Sequence, residues 1–202
     1  MTDHYFSDTP KGPDHRRDNT VTLRGRDYVV QVASGTFSPG GLDRGTKVLL
    51  DTVPPPALSG VVVDVGCGWG PITLALAAEA PDAQVYAVDI NPRARELTAH
   101  NAEKSGFSNV TVIEPDGFSD TTTIDTLWSN PPIRIGKKAL HELLTTWLHR
   151  LSPDGDAWLV VAKNLGAQSL LTWLNTSHDG AFTAVRRGRD KGFHVIHVTR
   201  AP

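Results

Sequence analysis

Cysteine is almost missing from this chain, which holds a single one, Cys67, among 202 residues. No disulfide can close within it and no thiolate cluster can bind zinc, so a reducing, cytoplasmic setting is expected. Long apolar runs are missing too. None approaches the roughly 20 residues that a bilayer-crossing helix needs, and no membrane anchor is expected. The opening stretch, MTDHYFSDTPKGPDHRRDNT, has no apolar core of the kind an export leader requires. Nor is charge of one sign in excess: 20 Lys and Arg face 22 Asp and Glu, a formal net charge of −2. The chain is therefore not a polycation, and any nucleic-acid contact has to come from local basic patches. His15, His194 and His197 show no metal-ligand spacing, and no metal is expected.

What is present is the composition of an ordinary globular domain, 39% apolar and 21% charged. The length suits one α/β domain with a continuous core and is short for two. Residues 1–20 are polar and read as a flexible arm. Residues 21–37 alternate apolar and polar side chains around Gly25, which predicts a β-hairpin appended to the main domain. A short helix is expected over 44–53, before Pro54-Pro55-Pro56. From residue 60 onward, buried β-branched runs (VVVDVG, AQVYAVDI, NVTVIEP, IDTLWSN, DAWLVVAKN) alternate with helical segments. One helix is expected over 138–155, on a stripe running from Leu140 to Leu151. The alternation predicts a mostly parallel sheet with helices on both faces. The closing segment AFTAVRRGRDKGFHVIHVTR predicts an antiparallel hairpin at one edge.

The segment DVGCGWGP, 64–71, joins the first buried strand to the first helix after it. Gly66, Gly68 and Gly70 allow a sharp turn and close approach of a ligand, and such a loop lies at the carboxyl end of its strand, where open α/β sheets bind ligands. The next strand ends in Asp89, placed to accept hydrogen bonds from two ribose hydroxyls. Dinucleotides and S-adenosylmethionine (SAM) share this arrangement. The dinucleotide pattern asks for glycine at its sixth position, where this chain has Pro71, whereas SAM carries no phosphate and needs no cradle for one. The spacing therefore favours SAM. Asp116 ends the third strand, as an acceptor for the adenine amino group or as a solvated turn residue. Cys67 and Trp69 read as packing residues.

The fourth buried strand stops on Asn130-Pro131-Pro132. Prolines end strands, so a turn accounts for the stop. The same residues also offer two acceptors on a rigid backbone, the Asn130 side-chain carbonyl and the Pro131 main-chain carbonyl. Together these suit a planar exocyclic NH₂ group and leave its nitrogen lone pair free for in-line attack, with no strong general base.

With these motifs in this order, the chain resembles the small-domain class I SAM-dependent methyltransferases, the family of the 16S ribosomal RNA guanine-N2 methyltransferases. The matching stretches are SGTFSPGGLDRGTKVLL, VVVDVGCGWGPITLALA, VYAVDINPRARELTAHN, SNPPIRIGKKALHELL, LSPDGDAWLVVAKNLGAQSLLTWL and KGFHVI, spanning about residues 34–197. The resemblance implies a Rossmann-like domain with a seven-stranded sheet and an antiparallel last pair. It implies that Gly66, Gly68 and Gly70 line the SAM loop with Asp64 supporting it. Asp89 would bind ribose, Asp116 would lie near adenine, and Asn130, Pro131 and Pro132 would hold the target amine. Phe37 and Thr46 would close over the methionine end of the cofactor. Relatives acting on adenine or glutamine typically carry an aromatic residue after NPP, and Ile133 argues against those acceptors. Larger members of the rRNA branch carry an extra N-terminal domain that has no counterpart here.

Three basic clusters could meet phosphate: Arg24 with Arg26, then Arg134, Lys137 and Lys138 just after NPP, then Arg186, Arg187, Arg189 and Lys191. The expected partner is RNA, most simply rRNA or a ribosomal subunit particle, and the expected reaction is methylation of an exocyclic guanine amine. Protein-glutamine or small-molecule N-methylation and a non-catalytic RNA-binding role remain as alternatives, while a nicotinamide-dependent oxidoreductase is disfavoured by Pro71.

Overall fold

A computed structural model describes residues 14–200, which form nine strands and five α-helices. The first two strands, β1 (Arg16–Leu23) and β2 (Arg26–Ala33), make a separate antiparallel hairpin. Helix α1 (Arg44–Thr52) follows, and then the alternating region: β3 (Ser59–Val65), α2 (Pro71–Glu79), β4 (Asp82–Val88), α3 (Pro92–Lys104), β5 (Val110–Ile113), β6 (Ile124–Ser129), α4 (Lys137–Leu148), β7 (Leu151–Ala162) and α5 (Ala167–Thr176). Strands β8 (Phe182–Asp190) and β9 (Phe193–Arg200) close the chain. The main sheet has seven strands in the order β5-β4-β3-β6-β7-β9-β8, parallel except for β9, which runs antiparallel to both of its neighbours. This is the mostly parallel sheet that the alternation predicts, in the Rossmann-like architecture that the resemblance implies.

Two apolar layers sandwich the sheet. One gathers α1, α2, α3 and the hairpin, through residues such as Leu49, Leu74 and Leu97. The other gathers α4 and α5, through Leu144, Leu148, Leu170 and Leu174. Trp128 and Trp147 are both core residues, at 0% and 3% exposure.

The structure differs from the sequence reading in three respects. The hairpin begins at Arg16 rather than at residue 21, so residues 16–20 of the expected arm form a strand, while residues 1–13 lie outside the described residues. The hairpin is also more than an appendage, because Val21, Leu23, Val30 and Val32 are buried in the first apolar layer. The helix expected over 138–155 stops at Leu148. Leu151 continues its leucine stripe by spacing but pairs with Ile124 as the first residue of β7.

The first of the three basic clusters serves the fold. Arg24, at the hairpin turn, forms an ion pair with Glu79 at the end of α2, and its guanidinium also donates to the carbonyls of Leu50 and Val53 at the end of α1. Arg26 donates to the Ala78 carbonyl. Both are spent at helix C-termini, where cations offset the helix dipole. Arg24→Ala strands Glu79 in a mostly buried setting and is expected to cost about 2 kcal/mol of stability, read as a lowered urea midpoint, with ligand binding at the opposite end of the sheet unchanged.

Candidate functional site

Strand order reverses at β3. Its successor β4 lies on one side and β6 on the other, so the carboxyl ends of β3, β4 and β6 flank the crevice where open α/β sheets take ligands. A cleft of about 940 Å³ opens there. Its walls come from the loop after β3 (Gly66), the end of β4 (Asp89), the turn after β6 (Asn130, Pro131, Pro132, Ile133, Arg134) and the segment after the hairpin (Thr36, Phe37). The carboxyl ends of β3 and β6 are tied together, because the buried Ser129 hydroxyl donates to the Val65 carbonyl at 2.6 Å.

The glycine loop binds its own backbone. The N–H groups of Gly66 and Cys67 both donate to the Val88 carbonyl, that of Gly70 donates to the Cys67 carbonyl, and that of Gly68 donates to Asp89 Oδ2 at 2.9 Å. A phosphate cradle needs such N–H groups free. This loop has spent four of them, and Pro71 at the start of α2 carries none. The loop therefore suits a nucleoside cofactor without a pyrophosphate. The glycines also differ in task. Gly66 has φ +83°, and a Cβ there would meet no heavy atom within 4 Å, so its Cα surface faces open cleft. Gly68 lies under Phe37, and Gly70 backs onto Thr98 in the protein interior, away from the cleft.

Asp89 lines the cleft with its carboxylate held by the N–H groups of Gly68 and Asn91. Burial raises its pKa against the pull of those hydrogen bonds. Asp64 is fully buried behind the loop. Its Oδ2 accepts from the Thr73 hydroxyl at 2.6 Å, while Oδ1 has no partner. Burial pushes this carboxyl up to about 7, the Thr73 hydrogen bonds oppose the shift, and the charge of Asp89 adds to it. Burial also pushes the Cys67 thiol well up, and Thr98 donates to its sulfur, as suits a packing residue.

The turn after β6 contains an arrangement that no local motif announces. Asn130 Nδ2 donates to Asp43 Oδ2 at 2.9 Å and to Thr46 Oγ1 at 3.0 Å. The same Asp43 oxygen accepts from the N–H groups of Gly45 and Thr46 and so caps α1. An oxygen that already accepts from two N–H groups acts as an acceptor, so the Asn130 NH₂ must face Asp43. Its Oδ1 then turns away and accepts from no described residue. Asp43 is the functional candidate the sequence reading missed. It sits inside the stretch SGTFSPGGLDRGTKVLL, and the Asp three residues before Thr46, at a helix start, is a cap signal.

Thr46 is buried and stands behind Asn130, not on the cleft wall. Asp116 is exposed on the turn after β5, and its neighbour Pro115 faces the cleft there instead. Asp64, Gly68 and Gly70 support the loop from behind. Lys137 and Lys138 are exposed at the start of α4, beyond the Ile133 and Arg134 that line the cleft. Among the described residues no group of three or more His, Cys, Asp or Glu side chains is placed to hold a metal, and no helix is long and apolar enough to cross a membrane.

Residues 27–197 match the family model of the methyltransferase small domain. The uncharacterized protein YbxB of Bacillus subtilis is 35% identical over 203 residues, covering 99% of this chain and 100% of that protein. Ribosomal RNA small subunit methyltransferase C of Hahella chejuensis is 35% identical over 168 residues, covering 80% of this chain and 47% of that protein. The chain thus spans about half the length of such rRNA methyltransferase relatives. Among solved structures, the Thermus thermophilus 16S rRNA N2 G1207 methyltransferase (RsmC) in complex with AdoMet and guanosine superposes with a TM-score of 0.76 at 21% identity, covering 94% of this chain and 52% of that one. A ribosomal protein L11 methylase from Lactobacillus delbrueckii subsp. bulgaricus reaches 0.64 at 19% identity, covering 83% and 82%.

The state of Asp64 is open to test. Its folded pKa of about 7 lies above the value of about 3.9 for an unfolded Asp. Below pH 4 both states hold the proton and the stabilisation is complete. Between about pH 4 and 7 only the folded state keeps the proton, so stability falls as pH rises, and above 7 it is flat. Asp64→Asn removes this slope. In the ligand-free protein its stability relative to the parent is expected to rise by roughly 3–4 kcal/mol between pH 4 and 7.5, measured by urea unfolding across that range. A pH-independent difference would rule out a protonated Asp64.

Proposed function

This chain belongs to the methyltransferase small-domain family, and from that premise we propose that it transfers a methyl group from SAM to the exocyclic N2 amine of a guanine in small-subunit ribosomal RNA. The observation that carries this reading is the Asn130 amide, locked by Asp43 and Thr46 with its carbonyl oxygen free at the cleft. The Pro131 carbonyl beside it likewise accepts from no described residue. Two neighbouring acceptors can take the two hydrogens of one NH₂ group and fix its nitrogen, which lowers the entropy cost of reaching the transferring geometry.

The residues fit SAM. Asp89 would accept from the ribose hydroxyls, the Gly66 surface admits the cofactor backbone closely, and the loop asks for no phosphate. When bound, SAM supplies an electrophilic methyl on a sulfonium. The part of Asn130 and Pro131 is to strip the amine of its conformational freedom and hold its lone pair toward the loop. Both are neutral acceptors, so they favour the positive charge that grows on nitrogen during attack without taking the proton first. Phe37 and Leu165, 39% and 44% exposed beside the cleft, offer apolar surface to the faces of a base.

RNA is favoured over a protein acceptor by the relatives that carry rRNA methyltransferase names and by the exposed cations Arg134, Lys137 and Lys138 beside the NPP turn. The fold alone does not choose, since both an rRNA methyltransferase and a ribosomal-protein methylase share it.

The test is tritiated-methyl transfer from SAM to an extract of cells lacking this protein. Label is expected to be sensitive to RNase and resistant to protease, and nucleoside digestion is expected to yield N2-methylguanosine. Protease-sensitive label would instead assign a protein acceptor. Asn130→Ala is expected to lower turnover by at least 100-fold, about 2.7 kcal/mol of transition-state stabilisation, with SAM affinity within a factor of about 3 as read by calorimetry. Asp43→Ala leaves Asn130 in place but unlocks it. It is expected to lower turnover by about 10- to 50-fold and to cost about 1 kcal/mol of stability through the lost helix cap. Full turnover in that variant would show that the Asp43 hydrogen bond serves only the helix.

A further inference from the structure

The third basic cluster does not lie along a simple charged turn. In β8 the pairing with β9 runs Ala184 to Val198, Val185 to His197 and Arg186 to Ile196, then shifts so that Gly188 faces Val195 and Arg189 faces His194. One extra residue, Arg187, is accommodated at the shift. In a regular strand, residues three apart point to opposite faces of the sheet. The bulge cancels that alternation and puts Arg186 and Arg189 on the same face, the face of their cross-strand partners Ile196 and His194. Gly188 takes the other face, where a Cβ would lie 2.5 Å from the Thr52 side chain of α1. The irregularity therefore aims two guanidinium groups at one place.

That place holds His194. The residue is 5% exposed, and its ring Nε2 is buried with no hydrogen-bond partner. Burial first, and then the positive charges of Arg186, Arg189 and Lys163, hold its pKa below the usual imidazole range. Lys163 joins them because it leaves β7 just after Ala162, which pairs with Phe193, and its N–H donates to the Gly192 carbonyl at 2.8 Å. All three cations are exposed, and among the described residues none of them has an acidic partner. Lys191 differs, being paired with Asp190 at 3.7 Å. Three uncompensated cations around an unpartnered buried ring nitrogen leave a strong local demand for an anion.

The cluster borders the cleft. Ala162 and Asn164, on either side of Lys163 in sequence, both line it, as does Phe193, next to His194. An anionic chain that inserted one residue into the cleft would pass over these side chains on leaving it.

We propose that Lys163, Arg186 and Arg189, gathered around His194, bind a backbone phosphate of the RNA strand that flanks the nucleotide held in the cleft. This rests on the RNA reading of the site. It names where that RNA runs, toward the β8–β9 edge of the sheet.

Binding of a fluorescein-labelled 12-nucleotide single-stranded RNA is to be measured by anisotropy from 50 to 300 mM KCl, for the parent, for Arg186→Gln/Arg189→Gln, for Lys163→Gln and for Arg26→Gln. Each lost phosphate contact flattens the log–log salt dependence by about 0.7 for single strands. The double variant is expected to bind about tenfold or more weakly at 100 mM with a slope shallower by about 0.7, the loss of that one phosphate contact, and Lys163→Gln to weaken binding with a smaller change in slope. Arg26→Gln, at the other end of the sheet, is expected to match the parent. In RNA methylation assays the double variant is expected to raise KM while reaching parental turnover at saturating RNA, which also shows that it folds. Proton NMR adds a local readout: RNA is expected to raise the His194 titration midpoint in the parent and to leave it unchanged in the double variant. Parental salt dependence in the double variant, with RNA bound by the parent, overturns the proposal and leaves the RNA reading standing. So does a His194 response to inorganic phosphate with none to RNA. If the parent binds no RNA and its methyl label is protease-sensitive, the RNA reading itself fails and the proposal falls with it.

Discussion

A single carboxylate oxygen, Oδ2 of Asp43, receives the N–H groups of Gly45 and Thr46 and the side-chain amide of Asn130. Through it, the start of α1 and the turn after β6 become one unit. The geometry of the proposed amine site depends on this shared acceptor, because an asparagine amide on its own can present either its oxygen or its nitrogen to a ligand. Beside an oxygen that already accepts from two backbone N–H groups, only one orientation avoids placing two acceptors face to face. The prolines that follow complete the effect by stiffening the backbone and removing N–H donors that would compete for the same carbonyls. The turn after β6 thus presents its acceptors to the cleft before any ligand arrives, as the proposed NH₂ group would require.

The same economy governs the glycine loop. Its N–H groups turn inward to the Val88 and Cys67 carbonyls and to Asp89, so the loop is rigid without a ligand and offers surface rather than donors. Asp89 is drawn into that network by Gly68 and Asn91, which fixes its carboxylate at the cleft and opposes the rise in pKa that burial imposes. Asp64, one turn deeper, has no such compensation for its Oδ1 and lies close enough to feel the charge of Asp89. Two buried carboxyl groups in one region cannot both ionise cheaply. The one at the surface of the cleft is the better bonded of the two, through the Gly68 and Asn91 N–H groups.

Features carried by neighbouring residues were legible in the sequence. The G-x-G-x-G spacing, Asp89 at the end of the next strand and the NPP turn each declare themselves within a few positions, and the alternation of buried strands with helices gives the sheet. What escaped was set by distant pairing. The Asp43–Asn130 bond joins residues 87 apart, so the cap signal at Asp43 carried no hint of its second partner. Leu151 kept the helical spacing of the stripe before it, yet a strand partner at Ile124 claimed it. Residues 16–20 of β1 looked like an arm because that half of the strand has no buried side chain on either face. Asp116 had the right position in order along the chain but sits on an exposed turn, with Pro115 taking the wall of the cleft.

The distribution of charge makes sense in the same terms. A chain with a formal net charge of −2 cannot attract a polyanion as a whole. It can do so only if its cations are sorted. Arg24 and Arg26 are committed to helix ends and to Glu79 at the amino end of the parallel strands, where they stabilise packing. Arg134, Lys137, Lys163, Arg186 and Arg189 stand at the other end without acidic partners among the described residues. Placing Arg186 and Arg189 on one face required a bulge, an irregularity that interrupts the β8–β9 ladder. A surface hairpin that needed only to cover a sheet edge would be served as well by regular pairing. The interruption, beside a buried ring nitrogen of His194 that has no partner, is what the proposed anion site would require.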